Sequence, residues 1–183
     1  MKNVRDAKAN RRYEVIIYGD SITAGIRDIT ANETWAKYMK GLFGGRSFAA
    51  WGAPGNTSTD LVWRVMKGGE VQSNAPRAVA VFIGTNDLSR GRDPAKYMDF
   101  ILKLMKNRYP SSKILLMNIL PTTRPYQIGP TNAAYAKIAA ANGATFLTCG
   151  SDINIRDPEL SADGLHLTPA GYGRVIPCIV KNL

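Results

Sequence analysis

The sequence predicts an α/β protein, a parallel sheet covered on both faces by helices, and three observations carry that prediction. Five short runs of β-forming residues are almost continuously apolar, without the alternation of a half-solvated strand. Amphipathic helical patterns lie between them. Repeated strand–helix units of this kind fold as sandwiches with right-handed crossovers.

The first run, 14–18, holds Val15, Ile16, Ile17 and Tyr18 and is ended by Gly19. Residues 21–25 then read as a turn into a short helical start, with Ser21 either capping it or exposed at its mouth. The remaining strands fall at 47–51, 78–83, 113–117 and 144–147. Trp35, Tyr38, Met39 and Leu42 stand at i, i+3, i+4 and i+7 and predict the buried stripe of a helix closed by Gly44 or Gly45. Thr57 or Ser58 caps the next helix, which turns Leu61, Val62 and Val65 to the core. Met98, Ile101, Leu102 and Met105 line a third that ends before Pro110. Thr131 is the expected cap of a fourth, running to Asn142 with Gly143 as its left-handed stop. Thr168 and Pro169 open the last, with a kink expected at Pro177.

The 183 residues suit one domain with a sizeable core, and 45% hydrophobic with 21% charged residues excludes disorder. No apolar run reaches the length of a membrane span, and no signal peptide opens the chain, so a cytoplasmic protein is expected. Cys149 and Cys178 lack metal-type spacing and read as buried, reduced thiols. The net charge is +10, and residues 1–12 hold five basic side chains against Asp6 alone. That segment has no apolar periodicity and is expected to be a mobile basic tail on a domain spanning 13–183. The charge lacks the aromatic interleaving of single-strand binders, so a solvated basic surface is expected and no nucleic acid.

Ligands of open parallel sheets bind beyond the carboxyl ends of the strands. Here those positions hold Ser21, the segment Gly52 to Thr57, the segment Gly84 to Asp87, a loop from Pro121 to Pro130, and finally Asp163 and His166. His166 is the one histidine of the chain. Asp163, three residues earlier, is close enough to hold its Nδ1–H and leave Nε2 to take a proton from a serine; it could equally start a turn with Gly164. The N–H groups of Ser21 and Gly55 and the amide of Asn86 could converge as oxyanion donors. Taken singly, Gly84 to Asp87 and Pro54-Gly55 also read as ordinary turns. Trp51, Trp63 and Tyr126 are candidates for a pocket wall, though core packing explains the tryptophans equally well. The Pro121 loop should overhang the site, where Arg124 could meet an anionic substrate or solvent.

Gly19-Asp20-Ser21, Gly55, Gly84-x-Asn86-Asp87 and Asp163-x-x-His166 resemble the four sequence blocks of the SGNH (GDSL-type) esterases and lipases, in order and in position after successive strands. The resemblance runs from about residue 13 to the C-terminus. Trp51-x-x-x-Gly55, Leu61-Val62-Trp63-Arg64, the Pro121 loop and His166-Leu167-Thr168 look like the platelet-activating-factor acetylhydrolase-like branch. That branch has asparagine in the third block where this chain has Asp87, so its detailed substrate does not carry over.

The resemblance implies Ser21 as nucleophile, His166 as general base and acid, and Asp163 as its orienting acid. It also implies an oxyanion hole of Ser21, Gly55 and Asn86, and a flavodoxin-like sheet of order 2-1-3-4-5. Asp20 is expected to brace the turn. The expected activity is cofactor-free and metal-free hydrolysis of short acyl esters through an acyl-enzyme. A thioesterase, lysophospholipase, carbohydrate deacetylase or acyltransferase would use the same residues. A different class, a flavodoxin-like binding module, would need a phosphate-cradling glycine loop, and none follows any strand. A non-catalytic interaction protein would be expected to have lost one of these residues, and all are present.

Overall fold

Residues 2–9 and 11–183 are described by the computed structural model. Five parallel strands, β1 (Val15–Gly19), β2 (Phe48–Gly52), β3 (Ala78–Phe82), β4 (Lys113–Met117) and β5 (Thr145–Leu147), form one sheet of order β2-β1-β3-β4-β5. β1 sits between β2 and β3, with Ile17 level with Ala50 on one side and Ala80 on the other. β1 and β3 are buried along their whole length, which accounts for their unbroken apolarity.

Two apolar clusters fill the two faces. One packs Val15, Ile17 and Phe82 against α2 (Ser21–Ile29), α3 (Glu33–Leu42) and α8 (Pro169–Lys181). The other packs Ile16, Tyr18 and Val81 against α4 (Ser58–Met66), α6 (Ala95–Arg108) and α7 (Ile128–Ala141). Alternate residues of one strand thus feed opposite cores, as the period of two requires. A further short helix, α5 (Thr85–Ser89), follows β3.

The structure corrects several expectations. The stripe predicted for α3 is buried only at Met39; Trp35 and Tyr38 are 41% and 38% exposed and pack edge to face on each other. α7 begins at Ile128, ahead of Thr131, because Pro130 lies in its first turn, where the amide has no intrahelical acceptor to lose. Cys149 and Cys178, expected as free thiols, form a disulfide: β5 ends just before Cys149, and α8 brings Cys178 to a Cα separation of 5.6 Å.

The basic segment expected as a mobile tail is helical over α1 (Lys2–Lys8), while its Met1 and Asn10 lie outside the described residues. Ala7 joins the core beside Trp51, and Asn3 donates from Nδ2 to the Gly52 carbonyl at 3.1 Å. Asp6 accepts from the Trp51 indole at 2.9 Å and the Tyr13 hydroxyl at 2.6 Å. Polar anchoring of this kind leaves no apolar periodicity in the sequence.

Candidate active site

Gly19 ends β1, and the chain turns at once into α2. A Cβ on Gly19 would stand 2.3 Å from the Phe82 carbonyl oxygen and 2.0 Å from Thr23 Oγ1, so the sharp turn requires glycine. Asp20 is the N-cap and accepts from the Ile22 N–H at 3.0 Å. Ser21 is therefore the first helical residue rather than the cap, and its N–H is among those with no intrahelical acceptor. Tyr172 of α8 donates to the Ile22 carbonyl and pins this helix start from behind.

The other half of the site comes from the segment before α8. An antiparallel bridge between Ser161 and Leu167 closes a small loop that carries Asp163 and His166. Asp163 Oδ1 accepts from the backbone N–H groups of Leu165 and His166 at 3.0 and 2.7 Å, while its Oδ2 lies 2.8 Å from His166 Nδ1. His166 Nε2 stands 2.9 Å from Ser21 Oγ. With the proton on Nδ1, Nε2 accepts from the serine hydroxyl and the chain Asp163–His166–Ser21 is continuous. Burial alone would raise the Asp163 carboxyl, but the hydrogen bonds from His166 and the attraction of its ring outweigh it and hold the group below the ordinary carboxylate value.

Two other sequence-predicted residues come from the ends of β2 and β3, the strands on either side of β1. Asn86, near the start of α5, donates from Nδ2 to the Asn56 carbonyl at 3.0 Å. This contact joins it to the exposed turn bearing Gly55, whose φ of +75° suits glycine. One N–H of the Asn86 amide is thereby spent on positioning, and among the described residues the amide has no second acceptor.

Trp51 does not reach the site: it is 1% exposed and packs edge to face on Tyr18. Trp63 is 51% exposed on α4. The loop after β4 does adjoin the catalytic segment, since Thr122 Oγ1 and the Thr123 N–H both donate to the Gly164 carbonyl at 3.0 Å. Beyond them Arg124 is exposed and Tyr126 half-buried.

A buried polar layer beneath these residues escaped the sequence reading, apart from Asp20, which was expected to brace the turn. Arg64 of α4 pairs with Glu70 at 2.7 Å, donates to the Gly19 carbonyl at 2.8 Å and to Asn56 Oδ1 at 3.2 Å, and also reaches the Trp51 carbonyl. One guanidinium thus ties the ends of β1 and β2 to the Gly55 turn. Its signal in the sequence was a cation on the buried stripe, between Leu61 and Val65. Asp87 accepts from the N–H and hydroxyl of Ser58 at 2.8 and 2.6 Å and fastens α5 to the start of α4. At the edge, Arg90 donates to the Gly55 carbonyl at 3.0 Å. Asp20 lies within the same layer, and burial raises its carboxyl to about 7, against the lowering pull of the Ile22 N–H and of His166.

A hydroxyl, an imidazole and a carboxylate in one hydrogen-bonded chain, at the carboxyl ends of a parallel sheet and at the open N–H of a helix start, are the equipment of an acyl-transferring hydrolase. The comparisons give that class its family. The model of the GDSL-like Lipase/Acylhydrolase family matches residues 17–174, and the chain belongs to that family. It is a hydrolase of the esterase type. The chain is 27% identical over 184 residues to the Homo sapiens platelet-activating factor acetylhydrolase IB subunit alpha2, with 94% of this chain and 76% of that protein covered. The lipase/acylhydrolase from Enterococcus faecalis superposes with a TM-score of 0.67 at 25% identity, over 94% of this chain and 95% of the other. A mutant of Axe2, an acetyl-xylooligosaccharide esterase from Geobacillus Stearmophilus, shares the fold with a TM-score of 0.65 at 18% identity and 92% coverage of both chains.

Proposed function

We propose that the protein hydrolyses short-chain, acetyl-like esters through a covalent acyl-serine, with residues 13–183 as the hydrolase unit and α1 docked on it. The observation that carries this reading is the unbroken hydrogen-bonded chain from Asp163 through His166 to Ser21. Ser21 Oγ attacks the ester carbonyl as Nε2 takes its proton. The oxyanion is met by the N–H groups of Ser21 and Gly55 and by the free N–H of Asn86. The imidazolium, its charge balanced by Asp163, then protonates the departing alkoxide, which leaves as the alcohol. Water enters, gives a proton to Nε2 and releases the acid, restoring Ser21.

Acetyl-ester activity accords with two of the similar proteins, an acetylhydrolase and an acetyl-xylooligosaccharide esterase. Arg124 and Tyr126, on the loop fastened to Gly164, are assigned to substrate binding; Trp51, whose ring is buried, is withdrawn from that role. Among the described residues no helix is long and apolar enough to cross a membrane. The Cys149–Cys178 disulfide favours an oxidising compartment over the cytoplasm expected from the sequence.

The test is hydrolysis of a chain-length series of nitrophenyl esters by the wild type and Ser21→Ala. The reading requires the acetyl and propionyl esters to be best, and Ser21→Ala to lose at least about 10⁴-fold in kcat with an unchanged melting curve. A folded, active Ser21→Ala enzyme contradicts it.

A further inference from the structure

A second concave site lies at the β2 edge of the sheet, away from the triad. It is a cleft of about 970 Å³ whose lining includes Lys2 and Arg5 of α1, Arg11, Arg27 of α2, Lys40 of α3, and Arg46. Such a volume is at the upper end of small-molecule sites, roughly 300–1,000 Å³, and well beyond what one phosphate ion fills. Six cations reach this cleft from separate segments of the chain, against one carboxylate, Asp6.

That carboxylate does not neutralise them. Asp6 is occupied by the Tyr13 hydroxyl and the Trp51 indole, and Arg11 approaches it only to 3.8 Å. Arg27 is spent in part on Asp28, Asn3 and the Gly52 carbonyl. Among the described residues, Lys2, Arg5, Lys40 and Arg46 have no carboxylate partner. Gathering like charges around one cavity works against the folded state, and a bound polyanion relieves that repulsion. Four of the six are arginines, whose planar forks pair with two oxygens at once, as phosphate presents them. Tyr13 and Phe48 add apolar wall to the same cleft.

We propose that this cleft binds a small ligand carrying two or more phosphate groups, independently of ester hydrolysis. The α1 helix is then more than a cover for the sheet edge: it supplies two of the site's cations. Bound ligand stabilises the fold by mass action, so saturating ligand raises Tm.

The experiment is isothermal titration of the full chain with inorganic tripolyphosphate, with a nucleoside triphosphate and with monophosphate, at low and at physiological salt. Expected are saturable one-to-one binding of tripolyphosphate, at least about tenfold tighter than monophosphate and weakened by salt, and a rise in Tm. The variant Arg5→Gln/Lys40→Gln removes two exposed charges and should weaken tripolyphosphate about tenfold or more, with esterase kcat unchanged. Lys103→Gln/Lys106→Gln, on α6, removes the same charge elsewhere and should leave binding intact. Tighter binding of the nucleoside triphosphate would identify a nucleotide as the source of the phosphates, and equal binding a free polyphosphate. Absence of saturable binding, equal loss in both variants, or no preference over monophosphate would overturn the proposal.

Discussion

The two halves of the proposed active site are built on opposite principles. Asp163 and His166 stand on a loop with side chains 44% and 43% exposed, held by short local hydrogen bonds within a few residues. Asp20, Asp87 and Arg64 are at most 4% exposed; Asp87 and Arg64 act across the fold, joining strand ends and helix starts that are far apart in sequence, while Asp20 caps the start of α2. In the proposed mechanism the exposed half meets substrate and exchanges protons with it. The buried half never does; it fixes where Ser21, Gly55 and Asn86 sit. The comparison teaches that the chemistry is local and its geometry is not.

Breaking the buried half should cost stability first. Arg64→Met leaves Glu70 as an unpaired buried carboxylate and should lower unfolding free energy by about 3–5 kcal/mol, read from urea unfolding. Adding Glu70→Leu should restore much of that loss, because the lone buried charge is gone, yet kcat should stay low because the tie from the ends of β1 and β2 to the Gly55 turn is lost. Full recovery of both would reduce the pair to a packing role.

Asn86 belongs to both halves, and its substitution sharpens the contrast. Asn86→Ala should lower kcat by roughly 10²–10³ with little change in KM, since in the proposed oxyanion hole the amide meets charge that develops only in the transition state. Asn86→Asp should do at least as much harm, because a carboxylate repels the oxyanion. A well-folded Asn86→Asp enzyme with near wild-type kcat would leave the residue only a turn-forming role.

A smaller effect separates the two carboxylates by pH. Burial holds Asp20 at about 7, above its ordinary 3.8. Between those values the folded protein keeps a proton that the unfolded chain has released. Asp20 thus favours the fold at low pH, and that contribution is lost as pH rises from about 4 to about 7. Asp20→Asn keeps an oxygen to cap Ile22 and should flatten this slope in urea midpoints. Asp163 runs the other way: its lowered carboxyl contributes stability above the ordinary carboxylate range, lost as pH falls through its folded value. Asp163→Asn should therefore shrink only the acid-side loss. Identical profiles for the two variants would dissolve the distinction.

What the sequence made legible follows the same division. The strands were readable because burial on both faces leaves unbroken apolar runs, and the proposed triad could be singled out because its residues follow strand ends in the order of the family blocks they resemble. Arg64 and Asp87 were not, since their partners lie across the fold and a single charge on a helix stripe does not say what it binds. The docking of α1 was missed for a related reason: Asn3 and Asp6 anchor it with polar bonds to β2, which leave no hydrophobic period. Cys149 and Cys178 looked like thiols because a 29-residue separation says nothing of the 5.6 Å between their Cα atoms.

The central claim is that the exposed relay, and not the buried carboxylate beside the nucleophile, drives Ser21. The most direct measurement is the rate and site of labelling by a fluorophosphonate, followed by peptide mass spectrometry, in the wild type, Asp163→Ala and Asp20→Asn. The account predicts one labelled serine, Ser21, with labelling slowed severely in Asp163→Ala and kept within a few fold of wild type in Asp20→Asn. Label on another serine, or labelling abolished by Asp20→Asn and untouched by Asp163→Ala, would contradict it.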